Sequence, residues 1–359
     1  MKRLLIVDDS ALMRRLLTDV FGAAGDFEIA SARGGTEALA MLTDFVPDVI
    51  TLDIHMHDMD GLTCLDRIMV LRPCPVVMVS SLTSEGAEET LEAMSLGAVD
   101  FVAKPRGAVS LEIDKIASEL IDKVRAAAEA HVPRTARLRE RVRALASGSL
   151  SAKKSGHVVP AIPSLSGDQE GVVLIGCSTG GPPALDAVLG GLPANLPWPV
   201  VVAQHMPASF TGPLAARLDR ICSLTVSEVT RTTRLLPGHV YIGKGDADLV
   251  LSRRAGQVVA LPAPSSSAYH WHPSVDRLVE SAMRVVAAER LVGVLMTGMG
   301  SDGATAMGKL REAGGLTLAE AESTAVVWGM PGALVGLGGA SMVLPLDDIA
   351  PTLARRFAS

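Results

Sequence analysis

Aromatic residues are scarce in this 359-residue chain, where Phe, Trp and Tyr together make up 3%. Stacking platforms for bases or sugar rings are thereby excluded as a main recognition device. Cysteine is scarce too: Cys64, Cys74, Cys177 and Cys222 are scattered, with no CxxC pair and no metal-ligand rhythm. They read as reduced, cytosolic thiols. An excess of positive charge is also missing, with 33 basic against 39 acidic groups, which argues against nucleic acid as the partner. No apolar run approaches membrane-spanning length, and the opening MKRLLIVDD holds a four-residue apolar run, too short for a secretory core. A cytoplasmic protein without membrane insertion is the expectation.

What is present is Ala, Val, Leu and Gly in alternating strand-like and amphipathic stretches, in a chain too long for one ordinary core. Residues 1–122 alternate LLIVDD, SALMRRLLTDVFGAAG, EIASA, GTEALAMLTDF, DVITLDI, GLTCLDRIMVL, PVVMVSS, AEETLEAMSLGA, DFVAKP and EIDKIASELIDKV. Those are five βα repeats, and strands buried on both faces between helices predict a five-stranded parallel sheet of flavodoxin-like, α/β type. Residues 123–167 predict a helical extension and a flexible linker; Arg134 to Lys154 carries seven basic groups against one acid, with a docking patch as the alternative.

Residues 168–359 predict a second α/β domain, a Rossmann-like doubly wound, mostly parallel sheet. It opens on GVVLIGCSTGGPPALDAVLGGLP, a strand, a glycine-rich turn and a helix. Further strands are expected at PVVVAQH, LTVSEV, HVYIG, DLVLS, VVALPA, LVGVLMTG, LTLAE and SMVLPL, and helices at PLAARLDRI, PSVDRLVESAMRVVAAE and TAMGKLREAG.

Two constellations sit at strand ends. Asp8 and Asp9 close the first strand, Asp53 closes the third, and Lys104-Pro105 follows the fifth. Convergent carboxylates repel unless a hard cation joins them, and all-oxygen ligands favour Mg²⁺. One carboxylate can then attack a phosphoryl donor while a lysine neutralises the added charge. Singly, each residue has a plainer role as a helix cap, strand end or surface lysine. The set, with LDIHMHDMDGL, Ser80 after VVMV and Phe101, resembles a two-component receiver. The resemblance implies that Asp53 is the phosphoacceptor and that Asp8, Asp9, Asp53 and the His55 carbonyl organise Mg²⁺. It further implies that Ser80 and Lys104 contact the phosphoryl group and that Phe101 is an aromatic switch. Receivers usually carry proline where His57 stands, so a fixed φ is lost from this loop.

In the second half, GCSTG at 176–180 fits G-x-S-x-G between a buried strand and a helix, with amides at the helix start able to hold an oxyanion. Gly-Ser-Thr-Gly turns also cradle phosphates and dinucleotides, but that use wants an acid at the end of the next strand to hold a ribose. Gln204 and His205 stand there instead. His205 therefore suits Ser178 as a base, and Asp302, in the glycine-rich turn after LVGVLMTG, suits it as the orienting acid. The order Ser, acid, His of the α/β-hydrolases would instead recruit Asp246 or Asp248 with His270 or His272.

GCSTGGPPAL, VVVAQHMPASFT, LLPGHVYIGKGD, HPSVDRL, LMTGMGSDGA and VVWGMP, in this order behind a receiver, resemble the CheB family of chemotaxis protein-glutamate methylesterases and glutamine deamidases. The resemblance spans essentially the whole chain. It implies Ser178, His205 and Asp302 as catalytic residues, amides near Thr179 and Met299 as oxyanion donors, and no cofactor in the hydrolase domain. It also implies glutamyl methyl esters and glutamine amides on cytoplasmic chemoreceptor helices as substrates, a chemotaxis histidine kinase as phosphodonor, a monomer, and a receiver that covers the cleft until Asp53 is phosphorylated. Lys244, His272 and Gly332 depart from the common pattern of the family in loops expected to face substrate. A receiver joined to a non-catalytic signalling module, its serine turn a relic, is the competing class.

Overall fold

The computed structural model describes residues 1–80, 83–104, 109–130 and 171–357. Pro105 and the expected linker, including the basic stretch from 134 to 154, lie outside the described residues. The chain divides into two compact units, Met1–Ser80 with Leu96–Ala161 and Ser81–Ser95 with Ile162–Ser359.

The first five strands are β1 (Lys2–Val7), β2 (Phe27–Ala32), β3 (Val49–Asp53), β4 (Val76–Ser80) and β5 (Asp100–Ala103), and they form a parallel sheet in the order β2-β1-β3-β4-β5. Helices α1 (Ala11–Ala24), α2 (Gly35–Asp44), α3 (Gly61–Leu71), α4 (Ser84–Leu96) and α5 (Val109–Ala128) alternate with them, so the five expected βα repeats are all present. The last helix continues through residue 122 to Ala128. Central strands are apolar on both faces, as a sheet covered by helices requires: every residue of β3 and β4 is buried. Helix α1 turns Met13, Leu17 and Phe21 inward, a spacing of one helical face, and starts where the Ser10 hydroxyl accepts the Met13 amide.

The second sheet contains β6 (Val172–Cys177), β7 (Val200–Gln204), β8 (Thr225–Val229), β10 (His239–Gly243), β13 (Leu291–Leu295), β14 (Leu316–Glu320) and β15 (Met342–Leu344). Its order is β15-β14-β13-β6-β7-β10-β8, and every pairing in it is parallel. The expected strands DLVLS and VVALPA lie elsewhere, as β11 (Ala247–Arg254) and β12 (Gln257–Pro264), which pair antiparallel with each other, β12 also pairing antiparallel with the short β9 (Thr233–Arg234). Six helices accompany the strands: α6 (Gly181–Gly190), α7 (Ala208–Ile221), α8 (Val275–Met283), α9 (Ala304–Glu312), α10 (Met330–Gly336) and α11 (Leu346–Arg356). The helix expected across PSVDRLVESAMRVVAAE stops at Met283, and a turn and a short 3₁₀ segment at Ala288–Arg290 replace its second half. Helices α10 and α11 lack an expectation because prolines interrupt their pattern; Pro331 is harmless in a first turn, whereas Pro351 sits inside α11.

Strand order decides where chemistry can gather. Chain direction around the sheet reverses between β6 and β13, which are neighbours, and crevices outside strand C-termini open at such a switch point. Among the described residues, no helix is long and apolar enough to cross a membrane.

Candidate active site

In the first unit the register sets the pocket. Val7 pairs with Leu52, Asp53 with Val79, and Ser80 with Ala103, so Asp8, Asp53, Ser80 and Lys104 reach one sheet edge together. Carboxylate oxygens of Asp8, Asp9 and Asp53 all lie within 4.8 Å of one another. Lys104 Nζ sits 2.7 Å from Asp53 Oδ2 and 3.1 Å from Asp8 Oδ2. Asp8 is buried, with the Lys104 ammonium as the partner of its Oδ2; burial raises its carboxyl above the usual range, Lys104 pulls it down and Asp53 pushes it up. Burial also works against the Lys104 charge, yet hydrogen bonding and attraction to Asp53 hold that ammonium above its ordinary value. Three carboxylates that converge at one sheet edge and offer only oxygen ligands fit Mg²⁺.

The loop after Asp53 has anchors that the missing proline does not touch. Asp58 accepts the amides of Gly35 and Thr36 at 3.1 and 2.9 Å, capping α2 from outside, and Asp60 caps α3 through the Thr63 amide at 2.8 Å. His57 Nδ1 pairs with Asp9 Oδ2, and the His55 amide donates to Asp53 Oδ1 at 3.3 Å. Ser80 is buried, its carbonyl accepting the Lys104 amide at 2.7 Å. Phe101 points inward, 3% exposed, with Lys123 Nζ 5.1 Å from its ring centroid and 2.9 Å from its carbonyl oxygen.

In the second unit Ser178 follows β6, His205 follows β7, and Asp302 lies in the turn between β13 and α9, so the three come from adjacent strand ends. The serine turn is tight. Gly180 has φ +76°, the left-handed region that disfavours any Cβ, and a Cβ there would stand 2.7 Å from that of Val326. The Ser178 amide donates to the Thr297 carbonyl at 3.0 Å, and the Thr297 hydroxyl donates to the Thr179 carbonyl at 2.9 Å. A Cβ on Gly298 would come within 2.8 Å of Ser178 Cβ, which places the Gly298–Met299 turn directly against the serine.

His205 Nε2 meets Asp302 Oδ2 at 2.8 Å, with both side chains under 10% exposed. Asp302 also accepts the Ser274 hydroxyl at 3.0 Å and the amides of Val275 and Asp276 at 2.7 and 3.1 Å, the start of α8. Burial alone would raise the Asp302 carboxyl; the His205 hydrogen bond and charge, with those amides, bring it below its usual range. His205 Nδ1 is buried and has no hydrogen-bond partner. One face of the ring is covered by Trp271, stacked at 5.4 Å between centroids and 12° between planes. Such an arrangement leaves one imidazole nitrogen held and oriented, and the other available to take a proton.

The alternative candidates also have places. Asp248 pairs with His272 Nδ1 at 2.9 Å, but the same fully buried carboxylate binds the Ser274 amide and Arg277, which makes it a brace for the loop before α8. Asp246 accepts the Ala208 amide at 3.2 Å, and His270 meets the edge of Trp271 at 4.8 Å. Lys244 is exposed, and Gly332 lies against the Trp328 ring. Ser274, Thr297, Gln204 and Trp271 were not anticipated as parts of the site; only the S of PSVD and the residue preceding His205 gave a signal in sequence.

The family profile described as CheB methylesterase matches residues 173–353, and that of the response regulator receiver domain matches residues 4–113. A Rhodospirillum rubrum protein named protein-glutamate methylesterase/protein-glutamine glutaminase 3 is 54% identical, over 98% of this chain and 95% of its own. A Rhodopseudomonas palustris protein of the same name, numbered 2, is also 54% identical, over 98% and 96%. Among solved structures, the Thermotoga maritima CheB methylesterase catalytic domain aligns with a TM-score of 0.51 at 39% identity, covering 52% of this chain and 99% of that domain. With a receiver domain at one end and these strand-end residues at the other, the chain belongs to the CheB methylesterase family.

Proposed function

We propose that this chain hydrolyses glutamyl methyl esters, and deamidates glutamines, on cytoplasmic helices of chemoreceptors, by an acyl-enzyme route through Ser178. The observation that carries the proposal is His205, with Nε2 tied to Asp302 and buried Nδ1 without a hydrogen-bond partner, at the end of the strand next to the one that leads into Ser178. Ser178 Oγ attacks the ester or amide carbonyl and gives its proton to His205 Nδ1. Amides of Thr179 and Met299 face the developing oxyanion. Collapse breaks the bond to the leaving group, His205 returns the proton, and methanol or ammonia departs. Water then attacks the glutamyl-Ser178 ester with His205 as base, which releases glutamate and free serine.

Asp53 is the phosphoacceptor, and Asp8, Asp9, Asp53 and the His55 carbonyl would hold Mg²⁺. The metal, when bound, supplies charge neutralisation for phosphoryl transfer. Lys104 and Ser80 hold the transferred group, and Phe101 follows it. A chemotaxis histidine kinase supplies the phosphoryl group in the cytoplasm, and the chain acts as a monomer whose receiver restrains the hydrolase domain until Asp53 is modified. Residues 1–122 are the receiver, 123–167 the extension and linker, and 168–359 the hydrolase.

Methanol release from methylated receptor fragments, with and without a small-molecule phosphodonor, tests the proposal. Wild type should release methanol and accelerate with the donor, Asp53→Asn should release it without acceleration, and Ser178→Ala should release none. Wild-type output from Ser178→Ala would sink the hydrolase mechanism and favour a binding module.

A further inference from the structure

Gln204 ends β7, one residue before His205, and is 2% exposed. Its Nε2 carries two hydrogens, and both are used: one goes to the Ser178 carbonyl at 3.0 Å, the other to the His205 carbonyl at 2.9 Å. Its Oε1 accepts the Cys177 thiol at 3.1 Å. The opposite amide orientation would set an oxygen against two carbonyl oxygens, so the network fixes which end faces them.

The β6–β7 ladder pairs Cys177 with Gln204 and ends with the His205 amide on the Cys177 carbonyl at 3.0 Å. Beyond it the two segments separate, toward the helix on one side and toward the imidazole on the other. The Gln204 amide joins them past that point. The Ser178 carbonyl also takes the Gly181 amide at 2.7 Å, so both its lone pairs are bonded and the turn has no slack about its peptide. Gly181 makes room for this: a Cβ there would run into Gln204 Oε1.

We infer that Gln204 is a positioning residue for hydrolysis, its side-chain amide clamping the Ser178 and His205 main chains so that hydroxyl and imidazole stay in reacting register. The inference rests on the assignment of Ser178 and His205 above. It differs from a packing role because the clamp acts on approach of the reacting atoms, and so on kcat rather than on binding of the peptide. Misplacement by about 1 Å is enough to cost roughly 100-fold in rate.

The test uses the full chain with a methyl-esterified glutamate peptide as substrate and a fluorophosphonate that labels the active serine. Gln204→Leu keeps the volume and removes the donors; kcat and the labelling rate should both fall, by roughly 10- to 100-fold, with KM within about twofold. Val202→Ala, which trims a fully buried side chain on the same strand, is the packing control and should lose stability without that loss of kcat. Equal loss of kcat in both variants at equal loss of Tm would overturn the inference. A second route leaves Gln204 in place: Gly181→Ala should slow labelling in the wild type and add nothing in a Gln204→Ala background, whereas equal cost in both would overturn it. Should the Gln204 variants not fold, Cys177→Ala decides, with slower labelling supporting the clamp and wild-type labelling refuting it. Ser178→Ala, assayed alongside, separates the two claims, since loss of all labelling there upholds the nucleophile whatever becomes of Gln204.

Discussion

His205 donates Nε2–H to Asp302 through the carboxylate oxygen that also accepts the Val275 amide at 2.7 Å, so one oxygen couples the imidazole to the start of α8. The helix amides hold the carboxylate still, and the carboxylate selects the tautomer that leaves Nδ1 able to accept a proton.

Asp302→Asn should therefore lower kcat by on the order of 1,000-fold or more while the fold survives, because an amide can present N–H to the ring and favour the wrong tautomer. Stopped-flow hydrolysis of the methyl-ester peptide, with circular dichroism as the folding control, checks this. The same residue has an acid limb in stability. Its folded carboxyl titrates below its unfolded value, so its contribution is complete above the unfolded pKa and disappears as pH falls through the folded one. Acid unfolding of Asp302→Asn should lack that limb.

Lys104 should act on the receiver in the opposite sense from a metal ligand. Removing its ammonium in Lys104→Met leaves Asp8 and Asp53 facing each other without a countercharge. Melting in chelator should drop, and the rise in Tm on adding Mg²⁺ should exceed that of wild type, because binding then relieves more repulsion. An unchanged Mg²⁺ increment would show that the lysine does not compensate the pocket.

Glu320 predicts a limb near neutrality. Buried at the end of β14, it accepts the Thr297 amide at 2.8 Å and the Thr324 hydroxyl at 3.0 Å, and burial pushes its carboxyl up to about 7. A folded pKa above the unfolded one means stability that is present at acid pH and lost as pH rises through about 7. The loss between pH 4.5 and that point is on the order of 3 kcal/mol. Glu320→Gln should flatten this slope in urea titrations run at several pH values.

Asp58 should matter more to the receiver loop than the residue beside it. Asp58→Ala removes the acceptor of two α2 amides and should cost about 1 kcal/mol, the usual loss for a cap. His57→Pro should change stability little, since neither the Asp58 nor the Asp60 anchor passes through that side chain and the His57–Asp9 pair it removes is on the exposed surface. Urea unfolding of both variants distinguishes them.

Much of this was legible in the chain. Buried strands announce themselves as runs such as VITLD and VVVAQ, and a polar side chain at the end of such a run must surface at a parallel sheet's edge, which is what singles out Asp53, Ser178 and His205 in the chain. Neighbouring strands were not legible in the same way. That β13 lies beside β6, bringing Asp302 within reach of His205, needs the sheet order. Gln204 was visible only as a residue that was not an acid, because its two carbonyl partners depend on how two strand ends diverge. Pro351 concealed α11, and the small antiparallel sheet concealed itself among strands of ordinary pattern.

The order of the second sheet has one more consequence. Ser178, His205 and Asp302 leave three adjoining strands, while the β11–β12 hairpin turns at Ala255 and Gly256 outside that sheet. The three side chains are thus assembled by adjacency rather than by chain continuity, and a circularly permuted chain opened at that hairpin, with its old termini joined, should keep the same three neighbours.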